Sequence, residues 1–139
     1  DSPYSATEAP LVMTGHIFLR DVDPDRPASM SQAITTGLLR EELGYQGLII
    51  TDDLSNMRGA SDVVPDVGDR AVEALRAGAT MVLFVDDRDV EAAVDAIVQA
   101  MIDDADFART AREDARAVLR LKAAMGRIPT LPEPGILAC

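Results

Sequence analysis

Residues 44–57, GYQGLIITDDLSNM, decide how this chain folds. Within this stretch, the small and apolar residues 47–50 run without a polar break toward two adjacent acids, Asp52 and Asp53. A run that is apolar on both faces is typical of a strand in a parallel sheet covered by helices, and it predicts a strand over residues 47–51. The stretch raises the question of why a buried strand ends in carboxylates.

The rest of the chain alternates predicted strands with predicted helices. Further strands are predicted at 11–14 and 80–85, amphipathic helices at 30–44, 66–77, 89–102 and 106–125, and a loop at 53–65. The helix at 89–102 carries its large apolar side chains in one stripe, which consists of Val90, Val94, Ile97, Val98 and Met101. This order predicts an α/β fold with a small parallel sheet, whose outer strands would leave unpaired backbone edges.

The composition excludes several classes of function. The 139 residues fit one domain, and a hydrophobic content of 47% is enough for a core. The net charge of −11 opposes binding to nucleic acid or anionic lipid. With Cys139 as the only cysteine and His16 as the only histidine, the chain has no internal disulfide and no cysteine or histidine cluster for a metal. A signal-peptide pattern is absent, which favours the cytoplasm, and secretion stays open because the chain lacks a starting Met.

Two interpretations of the acidic strand end are open on position alone. The carboxyl ends of parallel strands form the working face of α/β folds, which favours a functional role for Asp52. Aspartate is also common at N-caps, so a capping role for Asp52 and Asp53 is the simpler alternative. The segment MVLFVDD at 81–87 matches the acidic strand of response-regulator receiver domains, but only helices are predicted after it, whereas a receiver needs later strands.

Taken together, these segments resemble the catalytic domain of glycoside hydrolase family 3, most closely its β-N-acetylhexosaminidase branch. The matching motifs are LVMTGHI at 11–17, DPDRPASMS at 23–31, LREELGYQG at 39–47 and TDDL at 51–54, in the order that the family has. The resemblance continues through GDRAVEALRAGATMVLFV at 68–85 and RAVLRLKAAMG at 116–126.

This resemblance implies a particular architecture. The chain would form the last three βα units of a (β/α)8 barrel of the TIM type, with a closing C-terminal helix. Residues 1–128 would belong to this incomplete barrel, and residues 129–139 would form a flexible tail. The missing N-terminal half of the barrel is therefore an expected partner.

The resemblance also implies roles for site residues. The family's nucleophile is the first acid of its (S/T)D pair, which makes Asp52 the catalytic candidate. His16 lies at the family's AH position, as a candidate for binding substrate or orienting the nucleophile, with a structural role as the alternative. Met57 is a second substrate-binding candidate, although DDLSNM is one residue longer than the family's DDL.M. The family's general acid, a loop histidine paired with an aspartate, lies upstream of residue 11 and is not in this sequence.

The implied function is that of a retaining glycoside hydrolase that cleaves terminal β-N-acetylglucosamine from cell-wall-derived glycosides. The alternatives are a β-glucosidase-type member of the family and a truncated, non-catalytic barrel fragment. A carbohydrate is the expected partner, and no metal, cofactor, nucleic acid or membrane-spanning segment is expected. The chain alone is expected to be inactive.

Overall fold

The computed structural model describes residues 9–128, so the tail predicted at 129–139 lies outside the described residues. Three strands form one sheet in the order β1-β2-β3, where β1 is Leu11–Thr14, β2 is Leu48–Asp53 and β3 is Met81–Leu83. Both neighbouring pairs are parallel, and β1 pairs with β2 in register up to Thr14 and Thr51. The predicted α/β class and the predicted small parallel sheet are confirmed.

Helical segments follow each strand. After β1 come a short 3-10 helix, Ala28–Met30, and a π-helix, Ala33–Glu42. The other helices are α1 (Arg58–Ser61), α2 (Val67–Arg76), α3 (Arg88–Asp103) and α4 (Ala105–Ala124). Within residues 9–128, none of these helices is both long and apolar enough to cross a membrane.

Local sequence signals account for where the helices begin and end. The Asp66 side chain accepts a hydrogen bond from the Asp69 backbone N–H, which caps the first turn of α2. After α2, Gly78 has a φ of +110°, and after the π-helix, Gly44 has a φ of +69°. Both positions favour glycine because a side chain is strained there.

The central strand β2 lies in the core. Ile49 and Leu54 are fully buried, together with Tyr45 from the turn before the strand. At the amino ends of the strands, the hydroxyl of Thr80 accepts hydrogen bonds from the Ile49 N–H at 3.1 Å and from Arg40 Nη2 at 3.2 Å. These bonds fix the end of the sheet opposite Asp52, so the carboxyl ends of the strands remain available for a site.

Three predicted boundaries need correction. Strand β2 continues through Asp53, because Leu83 of β3 pairs with it and extends the ladder beyond residue 51. Strand β3 is shorter than predicted and ends at Leu83. The predicted loop at 53–65 contains the one-turn helix α1. Gly59 allows this helix to pack closely on the segment after β1, because a Cβ there would lie 2.5 Å from the His16 carbonyl oxygen.

The apolar stripe predicted on the third long helix is not its main packing face. Val90, Val94 and Val98 are exposed, whereas Ala93 is buried. A Cβ added at Gly68 of α2 would lie 2.7 Å from the Ala96 Cβ, so α2 and α3 approach each other closely through small residues. The close approach explains why the face rich in alanine, and not the valine row, is turned inward.

Candidate active site

The candidate site lies where the parallel strands end. Asp52 and Asp53 are the last two residues of β2, and His16 follows β1 by two residues. Because β1 and β2 pair in parallel as far as Thr14 and Thr51, His16 comes level with Asp53. The structure thus brings two of the predicted site residues, His16 and Asp52, to the same edge of one sheet.

Asp52 is partly buried and has one carboxylate oxygen held by the backbone. Its Oδ1 accepts a hydrogen bond from the Asp53 N–H at 2.8 Å. Among residues 9–128, no donor is bound to its Oδ2. A carboxylate oriented in this way keeps one oxygen free to approach an electrophilic carbon or to accept another hydrogen bond.

Asp53 has a structural position, linking β2 to β3. Its Oδ1 accepts hydrogen bonds from the N–H groups of Ser55 and Val85, each at 2.9 Å. Burial raises the pKa of the Asp53 carboxyl, but the backbone donors of Ser55, Val85 and Asn56 and the Ser55 hydroxyl outweigh it, so the pKa lies below its usual value. Asp53 therefore stays ionised and fixes the ends of two strands.

The His16 ring is hydrogen-bonded through both nitrogens. Its Nδ1 lies 2.6 Å from the Ser29 hydroxyl oxygen, and its Nε2 lies 2.8 Å from the Asp53 carbonyl oxygen. Ser29 is completely buried. The ring is thus held between the segment after β1 and the end of β2.

Met57 lies on the turn that enters α1, with 40% of its surface exposed. Two residues later, a Cβ added at Gly59 would lie 2.5 Å from the His16 carbonyl oxygen, so this turn packs directly on His16. The extra residue in DDLSNM is accommodated in the segment between β2 and α1, where Asn56 is exposed.

Sequence reasoning missed two residues of this edge, Ser29 and Ser55. The buried Ser55 hydroxyl accepts a hydrogen bond from the Asp86 N–H at 3.1 Å, which adds a second link between the ends of β2 and β3. The signal for Ser29 was its place in the motif PASMS, but nothing in the sequence pairs it with His16. A shallow depression at this edge is lined by Asp53, Ser55, Asn56, Val85, Asp86 and Asp87.

The chemistry of the edge is that of carboxylates. Among the described residues 9–128, no group of three or more side chains is arranged to hold a metal ion. The Asp52 Oδ2, which has no donor in the part of the chain that the structure describes, lies at the strand end and suits nucleophilic attack or the binding of a polar ligand.

Comparison with known proteins identifies the class to which this fold and site belong. The family model described as "Glycosyl hydrolase family 3 N terminal domain" matches residues 3–121. The chain therefore belongs to glycosyl hydrolase family 3, as the motifs around Asp52 predicted.

The relatives in sequence carry the names of hexosaminidases. The chain is 39% identical over 110 residues to a β-hexosaminidase of Idiomarina loihiensis, which covers 79% of this chain and 30% of that protein. It is 37% identical over 101 residues to β-hexosaminidase LpqI of Mycobacterium tuberculosis, covering 68% of this chain and 26% of that protein. The chain thus spans about a third or less of the length of these curated relatives.

The solved structures agree. The β-N-acetylhexosaminidase of Beutenbergia cavernae superimposes with a TM-score of 0.75 at 38% identity, covering 84% of this chain and 34% of that one. A family 3 β-N-acetylglucosaminidase of a Paenibacillus species superimposes with a TM-score of 0.71 at 30% identity, covering 96% of this chain and 26% of that one.

Proposed function

We propose that this chain forms the carboxyl-terminal part of the catalytic barrel of a retaining β-N-acetylhexosaminidase, in which Asp52 is the nucleophile. The observation that carries the proposal is the position of Asp52 at the end of the central strand, with Oδ1 held by the Asp53 N–H and Oδ2 without a donor among residues 9–128. Retaining glycosidases use a carboxylate in such a position to form a covalent bond to the anomeric carbon.

The strand order supports a segment of a larger barrel. Consecutive parallel strands in the order β1-β2-β3, each followed by helical structure, are the repeating unit of a (β/α)8 barrel. The outer edge of β1 and that of β3 would each pair with a further strand in a closed barrel. The remaining five units, and the segments that grip the sugar, would come from the part of the enzyme outside this chain.

The proposed reaction needs a second group that this site does not supply. A retaining enzyme protonates the leaving oxygen from a group that lies about 5–5.5 Å from the nucleophile in the usual two-carboxylate design. His16, the only histidine, has both ring nitrogens hydrogen-bonded to Ser29 and Asp53. The general acid is therefore assigned to the rest of the barrel. Met57, which is exposed beside the strand end, is assigned to the wall of the sugar pocket.

The proposed substrate is a terminal β-N-acetylglucosamine of cell-wall-derived glycosides. The choice of sugar is supported by the relatives in sequence and structure, which are hexosaminidases and N-acetylglucosaminidases. The cell-wall source is what the family resemblance implies. The acidic net charge of −11 is compatible with a neutral sugar substrate.

The test is a chimera in which this chain replaces the matched third of the Beutenbergia cavernae enzyme. We expect the chimera to hydrolyse an aryl β-N-acetylglucosaminide, Asp52→Ala to abolish turnover, and Asp53→Ala to retain a measurable fraction. Comparing Asp52→Ala with Asp53→Ala distinguishes the carboxylate that bonds to the sugar from the neighbouring carboxylate, which has a structural role. The chain by itself should show no hydrolysis, because general acid assistance contributes about 10²–10⁴-fold in rate.

Covalent trapping locates the nucleophile directly. The chimera is labelled with a 5-fluoro analogue of the sugar fluoride and digested with trypsin, and the peptide of residues 41–58 is sequenced by tandem mass spectrometry. Label on Asp52 is expected. Label on any other residue, or substantial activity in Asp52→Ala, would show that the nucleophile is assigned wrongly.

A further inference from the structure

A chain of hydrogen bonds connects the His16 ring to the Asp52 carboxylate. His16 Nε2 lies 2.8 Å from the Asp53 carbonyl oxygen, and the Asp53 N–H donates to Asp52 Oδ1 at 2.8 Å. The contact joins β1 and β2 two residues beyond their last regular pair, Thr14 and Thr51, where the ladder between these two strands has ended.

The partners of His16 determine which ring nitrogen carries hydrogen. A carbonyl oxygen can only accept, so Nε2 must be the donor to Asp53. In the neutral ring, Nδ1 then accepts, and the Ser29 hydroxyl donates to it across 2.6 Å. The buried Ser29 is itself fixed, because its N–H donates to the Gly15 carbonyl oxygen at 3.2 Å.

Asp53 transmits this constraint through its backbone. Its N–H and its carbonyl lie in the two peptide planes on either side of its Cα, so bonds to both groups restrict its φ and ψ together. The Asp53 carboxylate is held independently by Ser55 and Val85. His16 holds the backbone carbonyl of Asp53, and the N–H of the same residue orients the Asp52 carboxylate.

The His16 backbone is enclosed as well. A Cβ at Gly59, in the single turn of α1, would lie 2.8 Å from the His16 Cβ, so α1 packs closely against His16. We propose that His16 is a positioning residue, which sets the orientation of the Asp52 carboxylate through the backbone of Asp53 and does not bind the sugar through its ring nitrogens. This inference rests on the proposed function of Asp52.

The test compares three variants of the chimera. His16→Phe keeps a planar ring but removes both nitrogens, His16→Gln restores a donor that can reach the Asp53 carbonyl, and Ser29→Ala removes only the hydroxyl. For each we measure kcat and KM with the aryl β-N-acetylglucosaminide, the rate of labelling by the 5-fluoro analogue, and inhibition by free N-acetylglucosamine.

We expect His16→Phe to lower kcat and the labelling rate about 10–100-fold, because small displacements of a reacting group have effects of this size. KM and the inhibition constant should change by less than about threefold, since uniform binding is untouched. His16→Gln should recover most of the loss. A rise in KM and in the inhibition constant with kcat preserved would instead indicate a sugar contact and would overturn the inference.

Two further measurements keep the inference open to refutation if His16→Phe does not fold. Ser29→Ala should lower kcat at unchanged KM, and unchanged kcat would count against the inference. Ring ¹⁵N shifts of the unliganded chimera should show hydrogen on Nε2, and a main form with hydrogen on Nδ1 would overturn it. An inactive Asp52→Ala together with a fully active His16→Phe would leave the proposed function standing and reject this inference alone.

Discussion

The guanidinium group of Arg70 lies inside the protein and donates from Nη2 to the carbonyl oxygen of Ser55 at 2.8 Å. Its Nη1 donates to the carbonyl oxygens of Val64 and Pro65 at 3.0 and 2.9 Å. Arg70 is 4% exposed and belongs to α2. Its hydrogen bonds therefore attach both ends of the connection between β2 and α2 to α2 itself. This connection begins two residues after the proposed nucleophile, Asp52.

Arg70→Met should therefore destabilise the fold strongly. The substitution removes the donor from the carbonyl oxygens of Ser55, which is buried, Val64, which is half-buried, and Pro65, which is exposed. Hydrogen bonds from a charged group contribute about 1.5–3 kcal/mol each, most where the acceptor is buried. We expect the free energy of unfolding of the chimera to fall by about 3 kcal/mol or more, measured by urea titration. The matched control is Arg109→Met, whose ion pair with Asp106 is exposed. The control should change stability by less than about 1 kcal/mol, and equal effects of the two variants would contradict the role of Arg70.

The sequence was sufficient for most of this architecture because its signals are local. The apolar run before Asp52 predicted the central strand, and the amphipathic patterns at 30–44 and 66–77 predicted two helices, which end just before Gly44 and Gly78. The motifs from residue 11 to residue 54, taken together and in order, predicted the family, which the match over 3–121 confirmed.

The remaining features depend on residues far apart in the chain. The hydrophobic pattern predicted that α3 packs through its valines, but these are exposed. The close approach of Gly68 to Ala96 places the alanines of α3 against α2 instead. The partner of His16 is a backbone carbonyl 37 residues away, and a carbonyl has no sequence signature. Only the three-dimensional arrangement shows these contacts.

Two glycines in helices should respond in opposite ways to alanine. At Gly68, the new Cβ would meet the Ala96 Cβ at 2.7 Å and the Ala92 carbonyl oxygen at 3.0 Å, so α2 and α3 would have to separate. We expect Gly68→Ala to destabilise the chimera by about 1–3 kcal/mol. At Gly37, the nearest atom is the Gln32 carbonyl oxygen at 3.9 Å, so Gly37→Ala should stabilise by about 0.4–1 kcal/mol. Urea unfolding measures both, and effects of the same sign would refute the packing argument.

The chain by itself should associate through its first strand. The outer edge of β1 is unpaired within residues 9–128, and its Met13 side chain is 54% exposed. Open apolar strand edges are sites of pairing between chains. Sedimentation velocity at rising concentration should show oligomers, and Met13→Lys should reduce them more than the control Val94→Lys on α3. A monomeric chain with a cooperative, high-temperature unfolding transition would contradict this expectation.

Asp114 of α4 should give the stability of the protein an unusual dependence on pH. Burial raises the pKa of its carboxyl from 3.8 to about 6, the Arg40 guanidinium opposes the rise and the Glu113 carboxylate adds to it. The folded chain therefore binds this proton more tightly than the unfolded chain does. The contribution of Asp114 is present at low pH and is lost as the pH rises from about 4 to about 6.

Asp114→Asn isolates this contribution, because the amide resembles the protonated acid at every pH. Carboxyls with a lowered pKa, such as Asp53, make the protein less stable as the pH falls. Their contribution is the same in parent and variant, so it cancels when the two are compared. We expect the variant to match the parent near pH 4 and to become more stable than the parent by pH 7, measured by urea unfolding of the chimera. Glu113→Gln, which removes the neighbouring like charge, should end the loss of stability at a lower pH. If the difference between Asp114→Asn and the parent stayed constant from pH 4 to 7, the raised pKa would be refuted, because only a proton bound more tightly in the folded chain makes that difference depend on pH.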